Sequence, residues 1–404
     1  MKILQTATAG LALILLALGA RADDAELWPV GNKVSMWSEP YMVGSYRHWA
    51  EIYPVRVVPT APPVSELPRN EDLGDVPFWG NGEKLDVASY LERARVTGLL
   101  VIRDGVIRLE AYGNGADETS MMTSQSVAKS VVSTLVGIAL GEGLIASLDD
   151  PIDRYVPGLA DSAYAGVPIE AVLQMSSGIA FREDYDSDYS DSERMWVEVA
   201  QNHRVGAHEY LLTFGTDTAP YETFNYKGAD TQALGWLIES VTGMSLSAYL
   251  SQQLWAPMGM EADALWQVDG TGPDAVEIAY AGLNARLRDW GRFGLLMAQD
   301  GLWQGERLLP EGWVAQATTP SRPQVRPGKL YRGYPLGYQY QWWTYGSGKG
   351  DFTAQGINGQ FVYVDPSRDL VVVQSAVWPK WWDDNLEHMF NDFVKEVARL
   401  TDES

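Results

Sequence analysis

The chain has 404 residues, 46% of them hydrophobic and 21% charged, which suits a large core or two lobes and excludes a mainly disordered protein. Thirty Lys and Arg face 53 Asp and Glu, a formal net charge of −23, so nucleic acid and anionic membrane surfaces are repelled and excluded as partners. There is no cysteine, which excludes disulfides, thiol catalysis and a cysteine-linked lipid anchor.

Residues 1–22 carry Lys2, an apolar run Ala9–Leu18 too short to span a bilayer, and Ala20-Arg21-Ala22. This pattern is that of a secretory signal peptide, so the mature chain is expected to be periplasmic or secreted, with no stable membrane span after cleavage. Residues 23–85 are rich in Trp, Tyr and Pro, with five prolines between Tyr53 and Asn70. Proline fixes φ and removes a donor, so an extended segment packed on the main domain is expected. A helix follows at about Leu85–Arg95, and GLLVIRDGVIRLEAYG then reads as a hairpin turning at Asp104-Gly105. From Ser126 the period becomes helical, with Val127, Val131, Leu135 and Ile138 on one side and Gly141 and Gly143 as the stop. Residues 145–275 read as helices and loops. QFVYVDPSRDLVVVQSAV gives two further strands, and an amphipathic helix spans about Asp383–Leu400. The expected fold class is α+β: an antiparallel sheet lobe from residues 86–144 and 276–404, flanked by helices, with a helical lobe at 145–275 inserted.

Three stretches carry candidate chemistry. In TSQSVAKSVVSTLVG, Ser126 and Lys129 are three apart at a helix start, so both project from one face within a turn. The helix N-terminus and the Ser126 N–H suit a developing oxyanion, and burial there would favour a neutral lysine able to take the serine proton. By itself the four-residue pattern is common and equally fits a polar helix start. In ETFNYKGADTQALGWLIESVTG, Tyr226 precedes a helix beginning near Asp230; a phenol there can act as acid or base, or simply be a buried tyrosine. Its neighbour Lys227 is expected to face solvent. In AQGINGQFVYV, glycines at 356 and 359 precede a strand, and the Ile357 N–H can join that of Ser126 in an oxyanion hole; a tight turn is the plain alternative.

The ordered set of S-x-x-K, a tyrosine before a helix, and a Gly-rich strand resembles the class C branch of the serine β-lactamase and penicillin-binding superfamily. SLDDPIDRYVPGL, IEAVLQMSSGI and LNARLRDWGRFGLLMAQDGLWQGERLLPEGWV sharpen the likeness, which covers most of residues 85–375. YRHWAEIYPVRVV and SSGIAFREDYDSDYSDSERMW are most similar to the 6-aminohexanoate-dimer hydrolase and carboxylesterase-like group. The resemblance implies the β-lactamase/transpeptidase-like fold, with Ser126 as nucleophile, Lys129 as base and Tyr226 as proton relay. It also implies a substrate or leaving-group contact from Tyr185.

Two positions depart from the superfamily pattern. Gly228 stands where Y-x-N or Y-x-S places a polar side chain, and Ala354-Gln355-Gly356 stands where K-T-G places a cation. Without that cation an anionic β-lactam is disfavoured. Gln355 is expected to donate a neutral hydrogen bond, with Gly356 close to the substrate, and small neutral esters or amides become the expected substrates. A Ser-His-Asp hydrolase would need a histidine base, but there is no G-x-S-x-G elbow, and His48, His203, His208 and His388 all lie outside these stretches. Asp184, Asp186 and Asp188 alternate like an EF-hand start, yet Tyr189 and Met195 occupy its glycine and glutamate positions, so no metal and no cofactor is expected. Of the sixteen tryptophans most should pack in the core, and Tyr331–Trp343 is where an apolar acyl pocket is expected. A non-catalytic binding or sensor protein on this fold stays open, as does a β-lactamase or cell-wall peptidase.

Overall fold

The computed structural model describes residues 27–403, so the signal-peptide reading of 1–22 lies outside the described residues. In chain order, the strands of the two larger sheets begin with β1 (Val55–Val58), β2 (Val96–Arg103), β3 (Val106–Tyr112) and β4 (Met121–Thr123). They continue with β5 (Ala264–Gln267), β6 (Leu283–Arg286), β7 (Gly337–Gln339) and β8 (Trp342–Thr344), then β9 (Phe352–Gly356), β10 (Gln360–Asp365) and β11 (Leu370–Ala376). The main sheet has the antiparallel order β7-β8-β9-β10-β11-β2-β3, so strands far apart in the chain meet where β11 pairs with β2. Its β2–β3 hairpin turns at Asp104 and Gly105, both with positive φ, as a two-residue hairpin loop requires.

Strand β2 is buried on both faces, which is why it reads as a continuous apolar run. Leu100 and Ile102 pack under helix Leu287–Ala298, while Leu99 and Val101 pack with Phe390, Phe393 and Val397 of the terminal helix Asp384–Glu403. The smaller sheet runs β1-β5-β6-β4. Its β1 comes from the proline-rich segment, which crosses the surface extended; Ser65 in that segment accepts from the Arg292 guanidinium. Residues 42–52 depart from the extended expectation. Met42–Arg47 and Trp49–Ile52 are short helices, held because Trp37, Tyr46, Trp49 and Tyr53 close an aromatic cluster with Trp196.

Helix α1 (Val87–Arg93) is capped by the Asp86 side chain accepting from Ser89 N at 2.7 Å. Helix α2 (Ala128–Gly141) is buried from Ala128 to Ala139 and packs on α3 (Gly228–Thr242) of the helical region. Residue 126 thus sits at a junction: β4 leads into it, α2 leaves it, and β9 ends beside it.

Candidate active site

Ser126 lies in a 3-10 turn, Gln125–Val127, that runs directly into α2. The turn is strained, because Gln125 has φ +43 without being glycine. The Ser124 hydroxyl secures it, accepting from Leu283 N at 3.1 Å and donating to Gln125 O at 2.9 Å.

One helical turn later the Lys129 amine donates to Ser126 Oγ at 2.8 Å and to the Tyr280 carbonyl at 2.9 Å. Lys129 is 2% exposed, and no carboxylate forms an ion pair with it among the described residues. Burial lowers its pKa from 10.5 to about 8, against the pull of the Glu183 carboxylate. Tyr226 presents its ring 5.1 Å from the Lys129 amine and is stacked on Trp343 with centroids 5.5 Å apart. Burial, and then Glu183, push its phenol well up, with the nearby Ser126 acting the other way. Tyr185 is a second phenol beside Ser126; burial and Glu183 raise it too, and its hydroxyl donates to the Glu183 carboxylate.

Glu183 is the organiser that sequence reasoning passed over. Besides Tyr185 it accepts from Gly228 N at 2.8 Å, so the residue standing where Y-x-N has its asparagine contributes a backbone N–H. A Cβ at Gly228 would meet the Tyr280 ring at 3.2 Å, so the missing side chain leaves room for Tyr280, whose carbonyl holds Lys129. The signal for Glu183 was its place in the EDY loop, two residues before Tyr185.

Gly356 ends β9 against the serine turn: a Cβ there would lie 3.0 Å from Ser126 N and 2.6 Å from Ser124 O. Ile357, next in the chain, lines a cleft of about 820 Å³ that Gln125, Ser126, Lys129, Tyr185, Gly228 and Tyr280 also line. Gln355 does not line this cleft. It is buried at 5% exposure on the sheet face of its partner Phe361, and its amide nitrogen has no partner.

The aromatic part of the cleft is elsewhere than expected. Trp37, Trp196, Trp381 and Trp382 line it, whereas Tyr331, Tyr338 and Trp343 pack with Phe224 and Tyr226. The acidic loop joins this wall, since Trp381 donates its indole N–H to Asp186 at 2.8 Å. Glu183, Asp186, Asp188 and Glu193 all line the cleft; burial and the nearby Asp188 hold the Glu193 carboxyl above its usual range. Lys227, expected to face solvent, is 1% exposed and its amine is turned inward to Ser177 and Ile179.

This arrangement can be compared with known proteins. The beta-lactamase family profile matches residues 87–386. The chain belongs to the beta-lactamase family. Within it, the chain is 33% identical over 327 residues to the 6-aminohexanoate-dimer hydrolase of Paenarthrobacter ureafaciens, covering 78% of this chain and 81% of that protein. The fold is shared with the solved structure described as "Putative 6-aminohexanoate-dimer hydrolase from Bacillus anthracis", at a TM-score of 0.81 and 23% identity over 93% of this chain and 97% of the other. A family VIII carboxylesterase has the same fold at a TM-score of 0.58 and 15% identity, over 76% of this chain and 95% of the other. The protein is thus a beta-lactamase-family hydrolase related to 6-aminohexanoate-dimer hydrolase, with a small molecule as the substrate that this homology implies. Among the described residues no helix is long and apolar enough to cross a membrane.

Proposed function

We propose that this protein forms an acyl-enzyme at Ser126 on small esters or amides that carry no anionic group near the scissile bond. The observation that carries this reading is the buried Lys129 amine, 2.8 Å from Ser126 Oγ with its pKa lowered to about 8. Ser126 Oγ attacks the carbonyl carbon and Lys129 takes its proton. The N–H groups of Ser126 and Ile357 receive the oxyanion, a role supported by the close seating of Gly356 on the serine turn. Tyr226 gives a proton to the leaving group and regains one by way of Lys129; its raised pKa suits a donor that must stay protonated. Water then attacks the acyl-enzyme carbonyl and its proton passes by way of Tyr226 to Lys129; the acyl–Oγ bond breaks as Lys129 returns a proton to Ser126 Oγ, releasing the acid. The name of the Paenarthrobacter relative supports an amide substrate, and the four carboxylates lining the cleft, which outnumber its Lys129 and Lys380, support only the narrower point that an anionic group beside the scissile bond is disfavoured.

The test is hydrolysis of short-chain p-nitrophenyl esters, with acid-quenched enzyme digested and searched by mass spectrometry for an acyl group. An adduct on the peptide containing Ser126 is expected. Absence of both turnover and adduct would move the reading to a binding protein on a hydrolase fold, and an adduct on another residue would displace Ser126.

The pH profile gives a second check. A base must be neutral to work, so kcat/KM should rise with pH through the Lys129 pKa, about 8. The Glu183 charge favours the ammonium form and works against burial. Glu183→Gln removes that charge while keeping an oxygen that can accept from Gly228 N, so the acid limb should move to lower pH. An unmoved limb, or one moved upward, would take Glu183 out of this role.

A further inference from the structure

Lys227 and Asp230 are charged, buried and not used by the proposed chemistry. The Lys227 amine donates to Ser177 Oγ at 3.3 Å and to Ile179 O at 3.2 Å, and stands 4.0 Å from Asp230 Oδ2. Asp230 is 0% exposed, and its Oδ1 accepts from Ser177 Oγ at 2.7 Å and from Tyr164 OH at 3.0 Å. A buried ion pair is usually no more stable than a well-packed apolar pair of like size, so stability alone does not account for it.

What the pair joins does account for it. Lys227 is extended (φ −157, ψ 130) at the N-cap position of α3; its amine and the Asn225 side chain both reach residues 175–181, whereas the Tyr226 ring faces the Lys129 amine. Asn225 donates its side-chain amide to Phe181 O at 2.8 Å and its backbone N–H to Met175 O at 2.9 Å. The loop so gripped, residues 175–181, continues directly into Glu183 and Tyr185. One clamp therefore fixes both the residue that carries the phenol of Tyr226 and the loop that carries the carboxylate and phenol facing it.

We propose that Lys227 and Asp230 are positioning residues, a charged clamp that sets Tyr226 and the Glu183–Tyr185 loop around Ser126. Its effect on turnover rests on the hydrolase reading above; its effect on loop order does not. Lys227→Met, Asp230→Asn and the double variant separate the two. Lys227→Met leaves the Asp230 carboxylate buried without its cation and should lower the melting temperature as well as kcat. The double variant removes that lone charge and should recover most of the melting temperature. It should still show kcat reduced between about tenfold and a hundredfold at little-changed KM, because the Lys227 amine no longer holds Ser177 Oγ and Ile179 O, although the amide oxygen that Asp230→Asn introduces can still accept from Ser177. Hydrogen exchange should be faster in residues 176–185 of the double variant and unchanged in β2 and β11.

Unchanged exchange in 176–185 would overturn the clamp whatever the turnover of the native chain. Faster exchange with native kcat, or kcat recovering in step with the melting temperature, would overturn its positioning role. Absence of turnover in the native chain would sink the hydrolase reading instead, with exchange still deciding the clamp.

Discussion

Ser126→Ala is expected to lower p-nitrophenyl ester turnover on the order of 10⁴-fold or more, Lys129→Met to cost nearly as much, and the double variant to be no worse than the first. The non-additivity is the informative part. If the lysine acts only by taking the serine proton, it has nothing to do once the hydroxyl is gone. The geometry sets the size of the effect: the amine is 2.8 Å from Oγ, and with a pKa of about 8 it is free base in on the order of a tenth of molecules at neutral pH. At its ordinary value of 10.5 the free fraction would be on the order of one in several thousand. Burial along the apolar α2 thus supplies most of the base. Methionine keeps the length and packing of the side chain, so loss of activity with an unchanged melting temperature would assign the effect to the amine. Additive losses would mean that the two residues act in separate steps, and Ser126→Ala with full turnover would place the nucleophile elsewhere.

The parts of this site that the sequence made legible are those governed by local geometry. A three-residue spacing at a helix start brings Ser126 and Lys129 together, and the spacing of apolar residues identified α2 and the strands β10 and β11 that lead to and from the sheet centre. Gly356 was legible as a place of close approach, although its neighbour proved to be the serine turn itself. What escaped depends on contacts that no period records. Lys227 is expected to face solvent, as an unpaired lysine almost always does, but its partners Ser177 and Ile179 lie 50 and 48 residues away. The indole wall escaped for the same reason: Trp37, Trp196 and Trp381 come from three distant segments. Expecting the acyl pocket at Tyr331–Trp343 gave weight to aromatic density, whereas those rings are spent on packing Tyr226 in place.

Gly356→Ala is expected to lower kcat between about a hundredfold and a thousandfold, the range found for loss of one oxyanion donor, with a smaller effect on KM. The reason is steric and lies in backbone atoms that cannot swing away. The added Cβ would lie 2.6 Å from Ser124 O and 3.0 Å from both Gln125 Cβ and Ser126 N, so either the β9 edge or the serine turn must shift. A shift of either separates the Ile357 N–H from that of Ser126, and the two no longer converge on one oxygen. The serine turn has little slack, since Gln125 already holds a positive φ and Ser124 ties it to Leu283. Gly270→Ala is the matched control, because a Cβ there meets nothing within 4 Å and its φ is ordinary; it should leave turnover and melting temperature as they were. Should Gly356→Ala also keep native kcat, the oxyanion would have to be held by donors other than the end of β9. A fall in melting temperature with kcat per folded molecule unchanged would make Gly356 a packing residue, and the Ile357 N–H would lose its assigned part.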